Sequence, residues 1–251
     1  MNRTDNATSL KPEHISIFEE SSLSIQKKPE KNTVLFVWFN QYSGIVLKTP
    51  SKTLAIDPVD IKPKSLQNVD AVLITHEHYD HLDPRLITEI QKATNCTIIA
   101  DSASTKKLQH AIPAEKLKEA KPGTEIKIGE VSIKAEKCNH NAEAPVTYII
   151  TSEDEVKVYH TADSLPFPEL ADIGLREKFD VVFCTVGIAP GSTPQTGFEI
   201  ARLTKPQVVV PYHTALPVSQ TEFAQIIKKE LPRTACLIPE QNKIYQVSKR
   251  K

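Results

Sequence analysis

From Val34 onward the chain breaks into short apolar runs of strand length: VLFVWF, GIVLK, TLAID, AVLIT, TIIA, VSIKAEK, VTYII, VKVYHT, VVFCT and QVVVP. Each is rich in β-branched or aromatic residues and bounded by turn-forming positions, so each reads as a β-strand. Helical patterns fall between and after them, with their own start signals. Asp83 can cap a helix that begins at Pro84 and sets Leu86, Ile87 and Ile90 on one side. Thr193 followed by Pro194 repeats the device before FEIARL, and Ser219 with Glu222 spells a capping box ahead of FAQIIKK. Strands interleaved with helices that can cover two sheets predict an α/β layered sandwich.

A length of 251 residues suits one domain with a sizeable core. Residues 1–31 are polar, with scattered apolar positions such as Ile15, Ile17 and Phe18, and are expected to form a loosely held extension to a domain over 32–251. Only 7 glycines stand against 18 prolines, so turns must rely on Pro, Asn and Asp. Basic and acidic residues balance at 31 each, which gives no positive field to collect nucleic acid or an anionic membrane. A small-molecule substrate fits that balance better. No stretch reaches the roughly 18 apolar residues of a membrane span, and the N-terminal MNRTDNATSL has no apolar run, so a cytoplasmic protein is expected. Cys96, Cys138, Cys184 and Cys236 are far apart without a C-x-x-C pair, the pattern of reduced thiols.

Residues 73–84 read LITHEHYDHLDP, three histidines and three acids in twelve positions, opening where the apolar strand AVLIT stops. In an extended segment His76 and His78 point the same way, because side chains alternate with period two, and both rings can meet one cation. Asp80 and His81 occupy the turn into the Asp83 helix, where the bend can aim them at a neighbouring point. The zinc-protease string H-E-x-x-H is absent, since Asp80 stands where its second histidine would be. A solvated charge cluster is the other reading of these residues.

THEHYDHLD resembles the H-x-H-x-D-H signature of the metallo-β-lactamase fold hydrolases. That fold is a four-layer αββα sandwich of two mixed β-sheets flanked by helices. Members carry a further histidine, an aspartate and a last histidine, each at a strand end; His140 in CNHN, Asp163 in TADS and His213 in PYHT stand in that order. The resemblance implies that His76, His78 and His140 hold one metal and that Asp80, His81 and His213 hold the second. Asp163 would bridge them, which puts Asp80 and Asp163 at the reacting centre as its catalytic carboxylates. Asp57, ending TLAID, resembles the early aspartate that orients a histidine ligand from behind. Two cations about 3.5–4 Å apart lower the pKa of a shared water toward neutrality, so the nucleophile would be a bridging hydroxide.

The similarity is to the compact branch that includes L-ascorbate-6-phosphate lactonase and the phosphodiesterase relatives of N-acylphosphatidylethanolamine phospholipase D. It implies hydrolysis of a small phosphodiester, lactone or similar ester. Nitrogen and oxygen donors admit zinc first, then manganese or iron. The alternative on the same fold is an iron-dependent, dioxygenase-like oxidoreductase, distinguished by visible colour. Members of this branch often have glycine where Ala162 stands. The segment GIAPGSTPQTGFEI leads into a helix N-terminus at which Thr193, Gln195 and Thr196 could bind an anionic group of the substrate, or Thr193 could merely cap the helix. His160, inside a strand, reads as a hydrogen-bonded structural residue and Cys138 as a packing thiol.

Overall fold

Strand β2, Thr33–Trp38, shows why this sequence needs a layer on each side of its sheet. Val34, Phe36 and Trp38 enter one buried cluster while Leu35 and Val37 enter another. Such side chains each contribute ~1.5–3 kcal/mol when buried, so neither face of the strand can be left to water. The same division splits the strands Ala71–Ile74 and Val181–Thr185. The computed structural model describes residues 15–18 and 25–250.

In chain order the first sheet takes β1 Ile15–Phe18, β2, β3 Ile45–Lys48, β4 Thr53–Ile56, β5 Ala71–Ile74, β6 Thr97–Asp101 and β7 Leu117–Ala120. The second takes β8 Glu125–Ile128, β9 Val131–Lys137, β10 Val146–Thr151, β11 Lys157–His160, β12 Val181–Thr185, β13 Val208–Tyr212 and β14 Ala235–Cys236. Strand β15, Ile244–Ser248, then returns to the first sheet between β1 and β2. Side chains from both sheets meet in a central cluster, where the Phe36 and Phe183 rings pack edge to face at 5.0 Å. The outer face of the first sheet is covered by α1, Pro84–Thr94, and α2, Ser102–Leu108. That of the second is covered by α3 Leu170–Glu177, α4 Pro194–Thr204 and α5 Pro217–Glu230. The expected αββα layering is therefore present.

Each sheet is antiparallel on one side and parallel on the other: β4, β5, β6 and β7 run parallel, as do β11, β12, β13 and β14. Ligand sites in such sheets form beyond the carboxyl ends of the parallel strands, where loops leave the ladder and polar groups are freed from pairing. Thr75 O, just past β5, accepts from Val146 N at the start of β10 at 2.9 Å and ties the two sheets together there.

Several local expectations change. Asp83 does cap α1, accepting from Arg85 N and Leu86 N, and Thr193 caps α4. The capping box at Ser219 and Glu222 does not form: α5 begins at Pro217 after Leu216, and Ser219 lies inside its first turn. Proline at the first helical position, with its φ already set and no N–H to satisfy, moves the cap three residues upstream, from Ser219 to Leu216. Within the first 31 residues Ile15–Phe18 form β1, paired antiparallel with β15; residues 1–14 and 19–24 lie outside the described ones. No clear signal in the sequence marks strands β7, β8, β14 and β15 or helices α2 and α3. LKEA and EIKI are too short and polar to announce themselves as strands, and α2 is a short helix whose cap, Asp101, also ends a strand. Among the described residues no helix is long and apolar enough to cross a membrane.

Candidate metal centre

The polar loops begin one or two residues after the parallel strands end. Asp57 follows β4, Thr75 and His76 follow β5, Asp163 lies past β11, and His213 follows β13. His140 comes from the loop between β9 and β10. After His78 the chain turns, with His81 N and Leu82 N both donating to His78 O at 3.0 and 2.8 Å, and this turn carries Asp80 and His81 inward.

These loops converge. Donor atoms of His76, His78 and His140 gather within 4.8 Å of one another, and those of Asp80, His81, Asp163 and His213 do the same. His78 Nδ1 is 3.2 Å from His140 Nε2. Asp163 lies between the groups: its Oδ2 is 3.8 Å from His76 Nε2 and 3.6 Å from His140 Nε2. Its Oδ1 is 3.1 Å from His81 Nε2 and 2.9 Å from His213 Nδ1. Asp80 Oδ2 reaches His81 Nε2 at 3.8 Å and His213 Nε2 at 3.6 Å.

Four buried atoms of this cluster, His76 Nε2, His81 Nε2, His213 Nε2 and Asp163 Oδ1, have no well-directed hydrogen bond. An unpaired buried polar atom costs about 1–3 kcal/mol, and convergence of several on one point fits cations better than any protein partner. The N and O donors match a divalent ion such as zinc, manganese or iron.

Electrostatics follow the same arrangement. Burial works against the charge of Asp163, yet the adjacent His81 and His213 rings hold its carboxyl well below the ordinary range. Burial alone would lower His81, but Asp163 and Asp57 outweigh it and raise the ring to about 10. Burial, with His81 and His140 nearby, drives His76 far down. Asp163 is thus kept ionised and His76 neutral, the states in which these two groups bind metal, whereas the His81 ring, held protonated by its two carboxylates, would give up that proton to a cation.

Behind the donors lies a second set of contacts. Asp57 accepts from Ser43 Oγ, Thr75 N and Thr75 Oγ1, each at 2.8 Å, and its Oδ2 meets His81 Nδ1 at 2.8 Å. Thr75 Oγ1 also lies 3.0 Å from His76 Nδ1, and Thr185 Oγ1 lies 3.3 Å from His213 Nδ1. His160 Nε2 reaches Ser43 O at 2.9 Å, in keeping with a structural strand histidine. Asp57, Ala162 and His213 have φ of 46°, 48° and 54°, left-handed backbone that costs an L-residue about 1–2 kcal/mol each.

Residues 42–214 match the family described as Beta-lactamase superfamily domain. The chain belongs to the metallo-β-lactamase fold superfamily. A UPF0173 metal-dependent hydrolase of Pyrobaculum calidifontis is 30% identical over 188 residues, covering 70% of this chain and 82% of that one. A UPF0173 protein of Pyrococcus abyssi is 26% identical over 179 residues, 70% of this chain and 81% of its own length. Among solved structures, Igni18, a metallo hydrolase from Ignicoccus hospitalis, superposes with a TM-score of 0.74 at 22% identity, over 87% of this chain and all of that one.

In this metallo-β-lactamase fold chain the structure brings together His76, His78, Asp80, His81, His140, Asp163 and His213, with Asp57 behind His81. Thr193 and Thr196 are occupied otherwise. Thr196 Oγ1 accepts from Thr193 N at 2.8 Å, and Thr193 Oγ1 accepts from Thr196 N at 3.2 Å, a closed capping box beside an exposed Gln195. Cys138 is buried, and burial raises its thiol far above the ordinary range. Sequence reading missed Ser43, Thr75 and Thr185. A threonine just before a candidate ligand is a usable signal for Thr75; nothing in QYSG marks Ser43.

Proposed function

We propose that the protein is a hydrolase that works with two divalent cations and cleaves a small phosphodiester, lactone or similar ester. His76, His78 and His140 would hold one cation, Asp80, His81 and His213 the other, and Asp163 would serve both. The observation that carries this reading is the Asp163 carboxylate, which turns one oxygen toward each histidine group. A surface charge cluster would not bury such donors and leave them unpaired. Names of the UPF0173 relatives support the metal-dependent and hydrolytic parts of the reading.

When bound, such cations supply Lewis acidity and lower the pKa of a coordinated water. The chain's own part is to place and charge the donors. Asp57 fixes the His81 ring through Nδ1 and so leaves Nε2 directed at the centre. Thr75 does the same for His76 by its hydroxyl. Asp80 and Asp163 bring the negative charge that offsets the cations, and Asp163 is kept ionised by His81 and His213. Zinc is the first candidate and manganese the second.

The test is metal content of protein purified without added metal, read beside turnover of bis(p-nitrophenyl) phosphate and a lactone series. About two equivalents of a divalent metal and turnover of one substrate class are expected, with His76→Ala and Asp163→Asn losing both. Unchanged metal content and turnover in both variants would end the assignment. A coloured iron protein that consumes dioxygen would move it to the oxidoreductase alternative.

A further inference from the structure

Large hydrophobic side chains are seldom left in water in this protein. Among the described residues the exposed ones are Tyr79 at 79%, Leu175, Leu216 at 60%, Val218 at 56% and Ile238. Singly such residues carry no message. Three of them, however, lie close in the chain to the candidate metal donors. Tyr79 sits between His78 and Asp80, while Leu216 and Val218 follow His213 into the first turn of α5.

The local backbone fixes their positions. Tyr79 rides on the turn closed by the two bonds to His78 O, so its ring is presented outward while its neighbours point in. Leu216 N donates to Thr214 Oγ1 at 3.0 Å, which holds the start of α5 against the loop of His213. Half-buried Tyr42 joins the two ends: its ring lies edge to face with Tyr79 at 6.4 Å and with His213 at 6.2 Å.

The side of the centre near His78 and His140 has the opposite character. Glu143 N donates to Glu77 Oε1 at 3.0 Å, Lys106 Nζ pairs with Glu143 at 2.8 Å, and Lys107 Nζ donates to Glu77 O at 3.0 Å. The approach to the donors is thus charged on one side and apolar on the other.

We propose that Tyr42, Tyr79, Leu216 and Val218 form the subsite for an apolar substituent of the substrate, an aryl or short alkyl group, seated on the side of Asp80, His81 and His213. The inference rests on the metal-centre reading and adds a substrate class to it. Binding pockets combine a few convergent polar groups with apolar and aromatic walls, and here the donors supply the first and these side chains the second. Tyrosine edges and faces can pack against an aryl group, and the Tyr42 and Tyr79 rings already stand edge to face. A protein partner fits less well, since interfaces use roughly 20–30 residues a side.

Methylphosphonate and phenylphosphonate share one oxyanion head and differ only in the apolar group, so their binding to the metal-loaded protein by calorimetry isolates the subsite. Phenylphosphonate should bind at least about tenfold more tightly, a difference of about 1.4 kcal/mol, with the more negative heat-capacity change of apolar burial. In Leu216→Ser and Tyr79→Ser the ratio should fall toward one, with unchanged thermal unfolding showing that both variants remain folded. If metal and methylphosphonate bind but phenylphosphonate binds no better, the subsite is overturned and the metal centre stands. If the protein takes up no metal, both fall together. A dimer by sedimentation that Leu216→Ser dissolves, with the ligand ratio unmoved, would assign the patch to self-association and likewise overturn the subsite.

Discussion

His81 Nδ1 and Asp57 Oδ2 lie 2.8 Å apart with both side chains wholly buried, and Ser43 and Thr75 donate to the same carboxylate. Asp57 therefore collects donors that no water can replace, and it dictates which nitrogen of His81 is free to face Asp163. Asp57→Asn should keep the backbone, because asparagine tolerates the left-handed φ of 46° better than other side chains. Its NH2 group, however, cannot accept from the donors that now converge there. We expect a loss of ~2–4 kcal/mol in urea unfolding and a roughly 10–100-fold loss of metal affinity by chelator competition. Full retention of both would show that Asp57 does not organise the centre.

Metal removal should loosen the fold as well as the site. The unpaired Nε2 atoms of His76, His81 and His213 would regain no partner when cations leave. Dialysis against EDTA should lower the thermal midpoint and zinc or manganese should restore it, by ~2.7 kcal/mol when free metal is 100 times its dissociation constant. His76→Ala should respond much less to either step. An EDTA-treated wild type with an unchanged midpoint would contradict the prediction.

Asp101 makes a pH prediction away from the candidate donors. Burial pushes its carboxyl up to about 6, against the N–H groups of Ala103 and Ser104 that it accepts as cap of α2. The folded value thus exceeds an unfolded value of about 3.9. The native state holds the proton more tightly, so the associated stability is fully present below about pH 4 and is lost as pH rises through 6. Asp101→Asn keeps the capping oxygen and removes the titration. Wild type should therefore lose ~2 kcal/mol relative to that variant between pH 4 and pH 7, read from paired denaturant curves. A difference that is flat with pH would refute it.

Ala162 is wholly buried in left-handed backbone with φ 48°, and Tyr212 donates its hydroxyl to Ala162 O at 3.2 Å. Ala162→Val should destabilise by more than ~2 kcal/mol, since a β-branched residue there meets both backbone strain and a packed wall. Ala162→Gly should change stability by less than about 1 kcal/mol, as relief of strain offsets the lost methyl. Equal effects in thermal unfolding would mean that φ is not the controlling term.

The scarcity of glycine was legible as a demand on Asn and Asp, and Asn32, Asp57, Asp60, Asn95 and Asn242 do take positive φ. Glu155, Ala162, Lys178, Lys205 and His213 share that conformation, and no local signal marks them. Lys178 and Lys205 take it as the C-caps that end α3 and α4. The Ser219 cap failed because two start signals overlapped, and Pro217 outcompeted the other.

By itself the sequence determined the strands with two buried faces, the caps at Asp83 and Thr193, and a histidine string placed where AVLIT ends. Those follow from period, propensity and short-range hydrogen bonding, which act over a few neighbouring residues. Only the tertiary structure decided that Asp163 lies between the two histidine groups, that Ser43 and Thr75 brace Asp57, and that Tyr42 meets both Tyr79 and His213. Such contacts join residues far apart in the chain, and they exist because strand register and parallel pairing bring the carboxyl ends of both sheets to one edge.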